Sequence, residues 1–358
     1  MTDNTWPTVD TELIDDVTLY SAKLIIPVTG PVIIDGAVAI HGDRVVHVGK
    51  RRWVLKALKQ EMTAHGTIHE RHWDGVLTPG LINAHTHLQY SGMVQVGQGT
   101  YDRFRAWELA FNEVYAEAQK TQPWKQWAED GARQMVESGT TAAADIVTDL
   151  DAAGALASQG MHGIAYWEVM GWHNAEWMEK GRTELIRQLR RMNEEQLPNL
   201  GISPHAPYTL ESEPFVDLPD IARQLNMRLH IHLAETPLEA GTYPPVLTTY
   251  SAADWSDHDW ESYRQLKEVG KGASAIQFVD QLGSLGPDVH IAHGVWANGE
   301  DRRILRQRGV GVALCPRSNR ITNTGKDAPV REYLEEGNLV SVGTDSLSST
   351  PTLDLLDD

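Results

Sequence analysis

An alternation of short apolar runs with amphipathic stretches most limits how this chain can fold. From residue 77 onward the apolar runs are VLTPGLINAH, TTAAADIV, GIAYWEVM, LGISPHAPY, RLHIHLAE, VHIAHGV, VGVALCPRSN and LVSVGTDS. Stretches with helical periodicity lie between them, including WKQWAEDGARQMVESG, RTELIRQLRRMNEEQ, FVDLPDIARQLN and DRRILRQRG. Strands that alternate with helices form parallel sheets, and eight units of about 37 residues predict a closed (β/α)8 barrel of the TIM type.

An open doubly wound sheet is the alternative for such an alternation. It is disfavoured because no glycine-rich phosphate loop follows the first apolar run. Residues 17–50 have a different rhythm, with shorter runs of alternating apolar residues and Gly-Asp turns. This pattern predicts a small antiparallel sheet that precedes the barrel.

Composition excludes several classes of function. The net charge of −18 argues against a nucleic-acid partner, which requires a basic face. No run of about 18 apolar residues is present, so no membrane span is expected. The first residues lack the basic and apolar regions of a secretory signal, and a single cysteine, Cys315, excludes an intrachain disulfide. We therefore expect a cytoplasmic protein that acts on a small molecule.

Polar residues of the kind that bind metals recur where the predicted strands end. A single histidine is usually a structural residue, but five strand ends carry such side chains, which in a barrel meet at one face. Three imidazoles with one carboxylate suit a divalent, zinc-like ion that keeps a position open for water. The residues at these ends are His85, His87, His205, His232, His293 and Asp345, with Glu235 three positions after His232.

These residue types predict hydrolysis at an sp² carbon. A metal lowers the pKa of a water toward neutrality. Glu235 is spaced to miss the metal and to reach the water and the substrate, as a proton shuttle would. His293 could hold or polarise the attacking oxygen. His230 lies deeper along its strand than His232, so we interpret it as a packing residue or one that supports a ligand.

The order of the motifs PGLINAHTH, SPHAPYT, HLAE, AHGV, CPRSN and GTDS resembles the amidohydrolase superfamily, in its cytosine deaminase and adenosylhomocysteine deaminase-like, chlorohydrolase-related branch. The resemblance implies a small β-sandwich domain built from residues 1–76 beside a barrel over 77–358. It implies that His85, His87, His232 and Asp345 bind one zinc or iron, that Glu235 and His293 are catalytic, and that His205, Ser318 and Asn319 face the substrate. LGISPHAPYT lacks the lysine of dinuclear members, so one ion is expected.

The same resemblance implies a deaminase that releases ammonia from an aminated N-heterocycle. CPRSN, with Arg317, and the segment from LQYSGM to FRAWEL, with Trp107, are similar to enzymes that deaminate aminodeoxyfutalosine. An adenine nucleoside derivative is thus the expected substrate, with Trp107 contacting it and Arg317 binding an anionic group. An Arg317 paired with a carboxylate of the barrel is the alternative.

Other functions stay open at this point. They are a cytosine, guanine or triazine aminohydrolase or chlorohydrolase, a ring-opening cyclic amidase, and an inactive binding protein; a homodimer is also open. Two departures from the family pattern stand out. The sequence ends 13 residues after Asp345, from which we expect a truncated C-terminus. Residues 237–272 form a long polar loop, either a lid or a surface insertion.

Overall fold

The computed structural model describes residues 13–194, 199–241, 266 and 269–358. The chain divides into two compact units, Met1–Gly80 and Leu81–Asp358. Most of the loop predicted as a lid or insertion, residues 242–265 with 267 and 268, lies outside the described residues. None of the described helices is both long and apolar enough to cross a bilayer.

The first unit contains one sheet of four strands in the order β3-β2-β1-β4. The strands β1 (Ile14–Ile25), β2 (Ile33–His41) and β3 (Arg44–Lys50) pair in antiparallel fashion, as the turn signals predict. Strand β4 (Met62–Leu77) pairs with β1 in parallel, which the sequence pattern did not predict. A sandwich completed by further strands stays a prediction.

The parallel pairing is possible because helix α1 (Arg51–Glu61) connects β3 to the far edge of the sheet. Val54 and Leu58 are four residues apart and therefore share one face of this helix. Both side chains are buried, in a cluster with Val17, Leu19, Ala37 and Ala39 of the sheet. Burial of this apolar stripe stabilises a helix of otherwise polar composition.

The second unit is a barrel of eight parallel strands that follow one another in chain order, so the predicted (β/α)8 fold is confirmed. Neighbouring strands pair in parallel at every step of this sheet. The strands are β5 (Leu81–Thr86), β6 (Thr140–Val147), β7 (His162–Val169), β8 (Leu200–Pro204), β9 (Arg228–Leu233), β10 (Val289–His293), β11 (Gly311–Leu314) and β12 (Leu339–Val342).

Hydrogen bonds close the barrel between its first and last strands. The Asp345 amide donates to the His85 carbonyl at 3.0 Å. The Asn83 amide group donates to Thr344 Oγ1 at 2.7 Å and accepts from the Thr344 amide at 3.1 Å. Gly343 allows this approach, because a Cβ there would lie 2.8 Å from the His85 amide nitrogen. Closure thus brings the first histidine motif to the aspartate near the end of the chain.

Helices surround the barrel, and those predicted from periodicity are present with ends shifted by a few residues. The longest described helix, α3, was not among the predicted ones. The helices are α2 (Val94–Gly97), α3 (Phe104–Thr121), α4 (Trp124–Glu137), α5 (Ala155–Ser158), α6 (Asn174–Glu176), α7 (Arg182–Glu194), α8 (Ser212–Gln224), α9 (Ala275–Gln281), α10 (Gly299–Arg308), α11 (Pro316–Ile321) and α12 (Val330–Glu335).

The apolar start of the run VGVALCPRSN predicted a single strand, but the structure divides the run between a strand and a helix. Strand β11 ends at Leu314 and helix α11 begins at Pro316. Proline favours the first position of a helix, since its fixed φ suits the turn and it has no amide hydrogen to leave unpaired. Arg317, Ser318 and Asn319 therefore project from a short helix rather than from a strand end.

Alternation along β9 explains how the barrel presents histidines inward. Successive side chains of a strand point to opposite faces. Leu229, Ile231 and Leu233 are buried in the apolar cluster between strands and helices. His230 and His232, between them, are also buried, and their rings lie beside that of His85, 4.9 Å away between centroids. The sequence RLHIHL therefore directs two imidazoles to the barrel interior.

Candidate active site

Four polar side chains converge at the carboxyl end of the barrel strands. His87 Nε2 lies 3.2 Å from His232 Nε2. Asp345 Oδ1 lies 3.7 Å from His85 Nε2 and 3.8 Å from His87 Nε2. Ligand atoms around a tetrahedral zinc at about 2.0–2.1 Å stand roughly 3.3 Å apart, so this spacing needs only small adjustments to hold an ion.

The chemistry of these donors also fits a metal. His85 Nε2 is buried and has no hydrogen-bond partner among the described residues, an arrangement that costs free energy unless a ligand is bound. Burial and the surrounding imidazoles hold the pKa of His85 and of His232 well below the ordinary value. Both rings are therefore neutral and have a lone pair to offer.

Neighbouring groups fix the orientation of these rings. His85 Nδ1 is bonded to His230 Nε2 at 3.0 Å, and His232 Nδ1 is bonded to the His205 carbonyl at 3.1 Å. In each case the bond at Nδ1 turns Nε2 toward the centre of the site, as metal-binding histidines require. His230 thus orients the His85 ring.

Asp345 is held by three donors in a strained backbone conformation. Its φ is +60°, in the left-handed region that favours glycine. Ser318 and Ser349 hydroxyls donate to Oδ2 at 2.6 and 2.9 Å, and the Ser346 amide donates to Oδ1 at 2.8 Å. Ser318 was expected to contact substrate. In the structure its buried hydroxyl is bonded to the carboxylate of Asp345, and a contact with the substrate stays a prediction.

Glu235 lies beside this cluster and faces the same cavity. Its side chain is buried, and Oε1 lies 3.6 Å from His293 Nε2. Burial, with the nearby Asp345 and Glu108, raises the pKa of Glu235 well above its ordinary value. A carboxyl group with a raised pKa can both accept and deliver a proton near neutral pH.

The loop that carries Glu235 is shaped by Glu239, a residue that was not predicted from the sequence. The Glu239 carboxylate accepts the backbone amides of Ala234, Glu235 and Thr236 at 2.8, 2.9 and 2.9 Å. Thr236 and Glu239 form a capping box around the turn Pro237–Glu239. The spacing TPLE, a threonine three residues before a glutamate, is the sequence signal that could have identified it.

His293 ends strand β10 with a φ of +73°. Its Nδ1 is bonded to Asn319 Oδ1 at 3.0 Å, and this bond leaves Nε2 facing Glu235. Asn319 was expected to face the substrate. The structure instead gives its side chain to His293, because α11 turns it toward the end of β10.

These residues open into a cavity of about 220 Å³. Trp107 and His205, both expected to contact substrate, line it, and Trp107 Nε1 donates to the Ser348 carbonyl at 2.8 Å. Several other wall residues were not predicted from the sequence, among them Tyr90, Phe104, Glu108, Phe111, Glu168 and Tyr208. The spacing of Phe104, Trp107 and Phe111, which places them on one helical face, could have revealed this part of the wall.

Arg317 does not line this cavity in the described structure. Its guanidinium donates to Asp358 Oδ2 at 2.7 Å and to Asp357 Oδ2 at 3.3 Å, and to the carbonyls of Thr352 and Asp354. The guanidinium faces residues 352–358 in this structure, and a role for Arg317 in binding an anionic group of the substrate stays a prediction. The helix that begins at Pro316 directs Arg317 toward residues 352–358.

Comparison with known proteins shows to which family the chain belongs. A family model described as the amidohydrolase family matches residues 76–243 and 246–358. The chain belongs to the amidohydrolase family. Two curated proteins similar to this amidohydrolase are a 5-methylthioadenosine/S-adenosylhomocysteine deaminase of Moorella thermoacetica and a 5'-deoxyadenosine deaminase of Methanopyrus kandleri. The first is 30% identical over 344 residues, 93% of this chain and 70% of that protein. The second is 30% identical over 289 residues, 79% of this chain and 60% of that protein.

Solved structures share the fold of this amidohydrolase. An adenosine deaminase of Xanthomonas campestris with bound zinc has a TM-score of 0.72 at 20% identity, over 97% of this chain and 72% of that one. Aminofutalosine deaminase of Helicobacter pylori in complex with methylthio-coformycin has a TM-score of 0.73 at 20% identity, over 95% and 79%. Family membership and the convergent histidines together support a metal ion in this protein.

Proposed function

We propose that this amidohydrolase is a hydrolytic deaminase that releases ammonia from adenine nucleoside derivatives, with one zinc ion bound by His85, His87, His232 and Asp345. The observation that carries the proposal is the convergence of these four buried donors with Glu235 at one cavity. The names of the similar curated proteins, which are deaminases of adenine nucleosides, support this substrate class.

A divalent ion in this site would supply Lewis acidity and lower the pKa of a water beside it. Glu235 takes a proton from that water as its oxygen adds to the carbon that bears the amino group. Glu235 then delivers this proton to the amino nitrogen, the carbon–nitrogen bond breaks, and ammonia leaves. The proton that remains on the added oxygen passes to the ring nitrogen beside that carbon, which took up the electron pair of the ring C=N bond, and the carbon–oxygen bond becomes the carbonyl of the product. The raised pKa of Glu235 suits a group that is alternately protonated and ionised.

His293 and the aromatic wall would position the reactants. The bond from His293 Nδ1 to Asn319 fixes the ring, so Nε2 can hold the attacking oxygen. Trp107 and Phe111, with ring centroids 5.6 Å apart, offer an apolar surface for a purine ring. His205, whose Nδ1 is bonded to Thr209 Oγ1 at 2.8 Å, lies beside His232 and faces the same space.

A substrate panel tests this function. Ammonia release is measured from 5'-deoxyadenosine, adenosine, cytosine, guanine and an aminated triazine, with product mass recorded in each case. We expect the adenine nucleosides to give ammonia and a product one mass unit heavier. Preferential turnover of cytosine, guanine or the triazine would contradict the substrate class. A ring-opened product without ammonia would contradict deamination itself.

A further inference from the structure

A second space, here called the side chamber, adjoins the cavity at the metal site. It has a volume of about 460 Å³. The two spaces have five wall residues in common: Tyr90, Phe111, Asn112, Glu168 and Met170. The two spaces are therefore neighbours that share one wall.

Six of the sixteen described residues that line the side chamber are aromatic. Phe111 and Tyr115 stack, with ring centroids 5.7 Å apart and planes inclined by 15°. Trp172 and Trp177 meet edge to face at 5.9 Å. Gly181 leaves room for these indoles, because a Cβ there would lie 2.5 Å from the ring of Trp177. Flat apolar walls of this kind favour flat apolar ligands.

Glu168 stands where the two spaces meet, and it points to a ligand independently of the aromatic walls. Only 6% of the residue is exposed, and Oε1 has no hydrogen-bond partner among the described residues. His232 Nδ1 is 3.9 Å away, too far for a hydrogen bond, and it is already bonded to the His205 carbonyl. A buried carboxylate oxygen without a donor costs free energy, which a hydroxyl or amine of a ligand would offset.

We propose that the side chamber binds a flat, largely apolar substituent of the nucleoside, and that Glu168 accepts a hydrogen bond from a substrate hydroxyl or amine at the junction. This inference rests on the proposed deaminase function and adds the class of substituent. The volume agrees with it, since the cavity at the metal site alone falls below the roughly 300–1,000 Å³ of pockets for drug-sized ligands. The side chamber supplies the remaining space.

The test compares two nucleosides in two matched variants. The nucleosides are 5'-deoxyadenosine and 5'-deoxy-5'-(phenylthio)adenosine, which differ by the aromatic group. Gln188 lines the side chamber from α7, whereas Arg190 is exposed on the same helix and is not among the chamber's described walls. We expect Gln188→Trp to lower the ratio of kcat/KM for the phenylthio compound to that for 5'-deoxyadenosine by about tenfold or more. Arg190→Trp should leave the ratio at its wild-type value.

Binding provides a readout that does not depend on turnover. Titration of the zinc-loaded protein with the phenylthio nucleoside should change the tryptophan fluorescence of the wild type and of Arg190→Trp, and Kd should rise in Gln188→Trp. Equal ratios and equal Kd values in the two variants would overturn the side chamber as a substrate site. If 5'-deoxyadenosine is deaminated but the phenylthio compound does not bind, the side-chamber proposal is overturned and the proposed deaminase function is not. Failure of both nucleosides to bind or react would overturn the proposed function.

Glu168 is tested by a pair of substitutions. Glu168→Leu removes the acceptor, and we expect KM to rise about tenfold with little change in kcat, the effect of one lost hydrogen bond. Glu168→Gln keeps an acceptor oxygen and should restore most of the affinity. A loss of kcat at constant KM in both variants would show that Glu168 acts on the neighbouring histidines rather than on the substrate.

Discussion

Glu235 is the residue on which the proposed chemistry depends, because its buried carboxyl group faces the cavity beside His293 and the proposed metal ligands. Glu235→Gln keeps the size and shape of the side chain but removes its capacity to carry a proton. We expect turnover to fall by about 10²–10⁴, the usual contribution of a general acid–base group, while the bound metal is retained. Steady-state kinetics with metal analysis on the same sample checks this. Activity near the wild-type level would exclude Glu235 as the proton carrier.

Ser318 is a residue whose role only the structure reveals. From sequence it belongs to a motif that resembles a substrate-binding segment, yet its hydroxyl is bonded to Asp345 at 2.6 Å. We predict that Ser318→Ala weakens metal affinity by about tenfold or more, in the range that supporting partners of metal ligands provide. A competition titration with a chelator measures it. Ser349→Ala, which removes the second hydroxyl at 2.9 Å, should have a similar effect. Unchanged affinity in both variants would contradict the positioning role.

At the scale of elements, sequence periodicity predicted the strands and most helices, but not the conformation of the segments after the strands. The position of the histidines at the strand ends was predictable, because the alternation and order of strands and helices alone define the carboxyl edge of a parallel barrel. Helix α3 escaped prediction although its aromatic residues recur at helical spacing, and it supplies a wall of the cavity. The direction of the Arg317 side chain was not predicted, because the proline that begins α11 was interpreted as part of a strand.

The ion pair between Arg51 and Glu70 links α1 to β4 in the first unit. The Arg51 guanidinium, with the Ser21 hydroxyl, lowers the pKa of Glu70 from 4.5 to about 2. A carboxyl group with a lowered folded-state pKa stabilises the fold above the unfolded pKa, and this stability is lost as pH falls from 4.5 toward 2. Thermal melts at pH 6 to 3 should therefore show a weaker acid dependence in Glu70→Gln than in the wild type.

The control for this prediction is Glu113→Gln, which removes an exposed carboxylate of α3. Its acid dependence should match that of the wild type. Because the Glu70 side chain is about a third exposed, salt should weaken the effect. An unchanged pH profile in Glu70→Gln would contradict the assignment of the ion pair as a stabilising contact.

The junction that closes the barrel gives a prediction about Gly343. In Gly343→Ala the new methyl group would meet the backbone of His85 at 2.8–2.9 Å, where nothing can yield without moving His85, a proposed metal ligand. We expect a loss of about 1–3 kcal/mol in the free energy of unfolding, together with weaker metal binding. Gly299→Ala, at the open start of α10, is the control and should be close to neutral. Equal stability of the two variants would contradict the tight closure.

At the scale of the whole molecule, closure of the barrel brings together residues that are far apart in sequence. Asn83 and Thr344 are separated by 261 positions and hydrogen-bonded, and His85 and Asp345 follow them into the metal site. This much was predictable, because barrel topology orders its strand ends in a ring. The hydrogen-bond partners that orient each proposed metal ligand were not predictable, since they depend on the direction of individual side chains.

The overall charge is consistent with an uncharged substrate. The net charge of −18 repels anions at long range, and the guanidinium expected to bind an anionic group is paired with Asp357 and Asp358. Aromatic side chains instead line part of both the cavity and the side chamber. A neutral nucleoside with an apolar substituent suits both features.

The most direct test of the proposed function is a zinc titration of the metal-free protein, with ammonia release from 5'-deoxyadenosine measured at each step. We predict that activity rises in proportion to bound zinc and stops rising at one ion per chain, and that Asp345→Ala removes this response. An activity that needs a second ion, or the absence of ammonia at full zinc occupancy, would contradict a mononuclear adenine nucleoside deaminase.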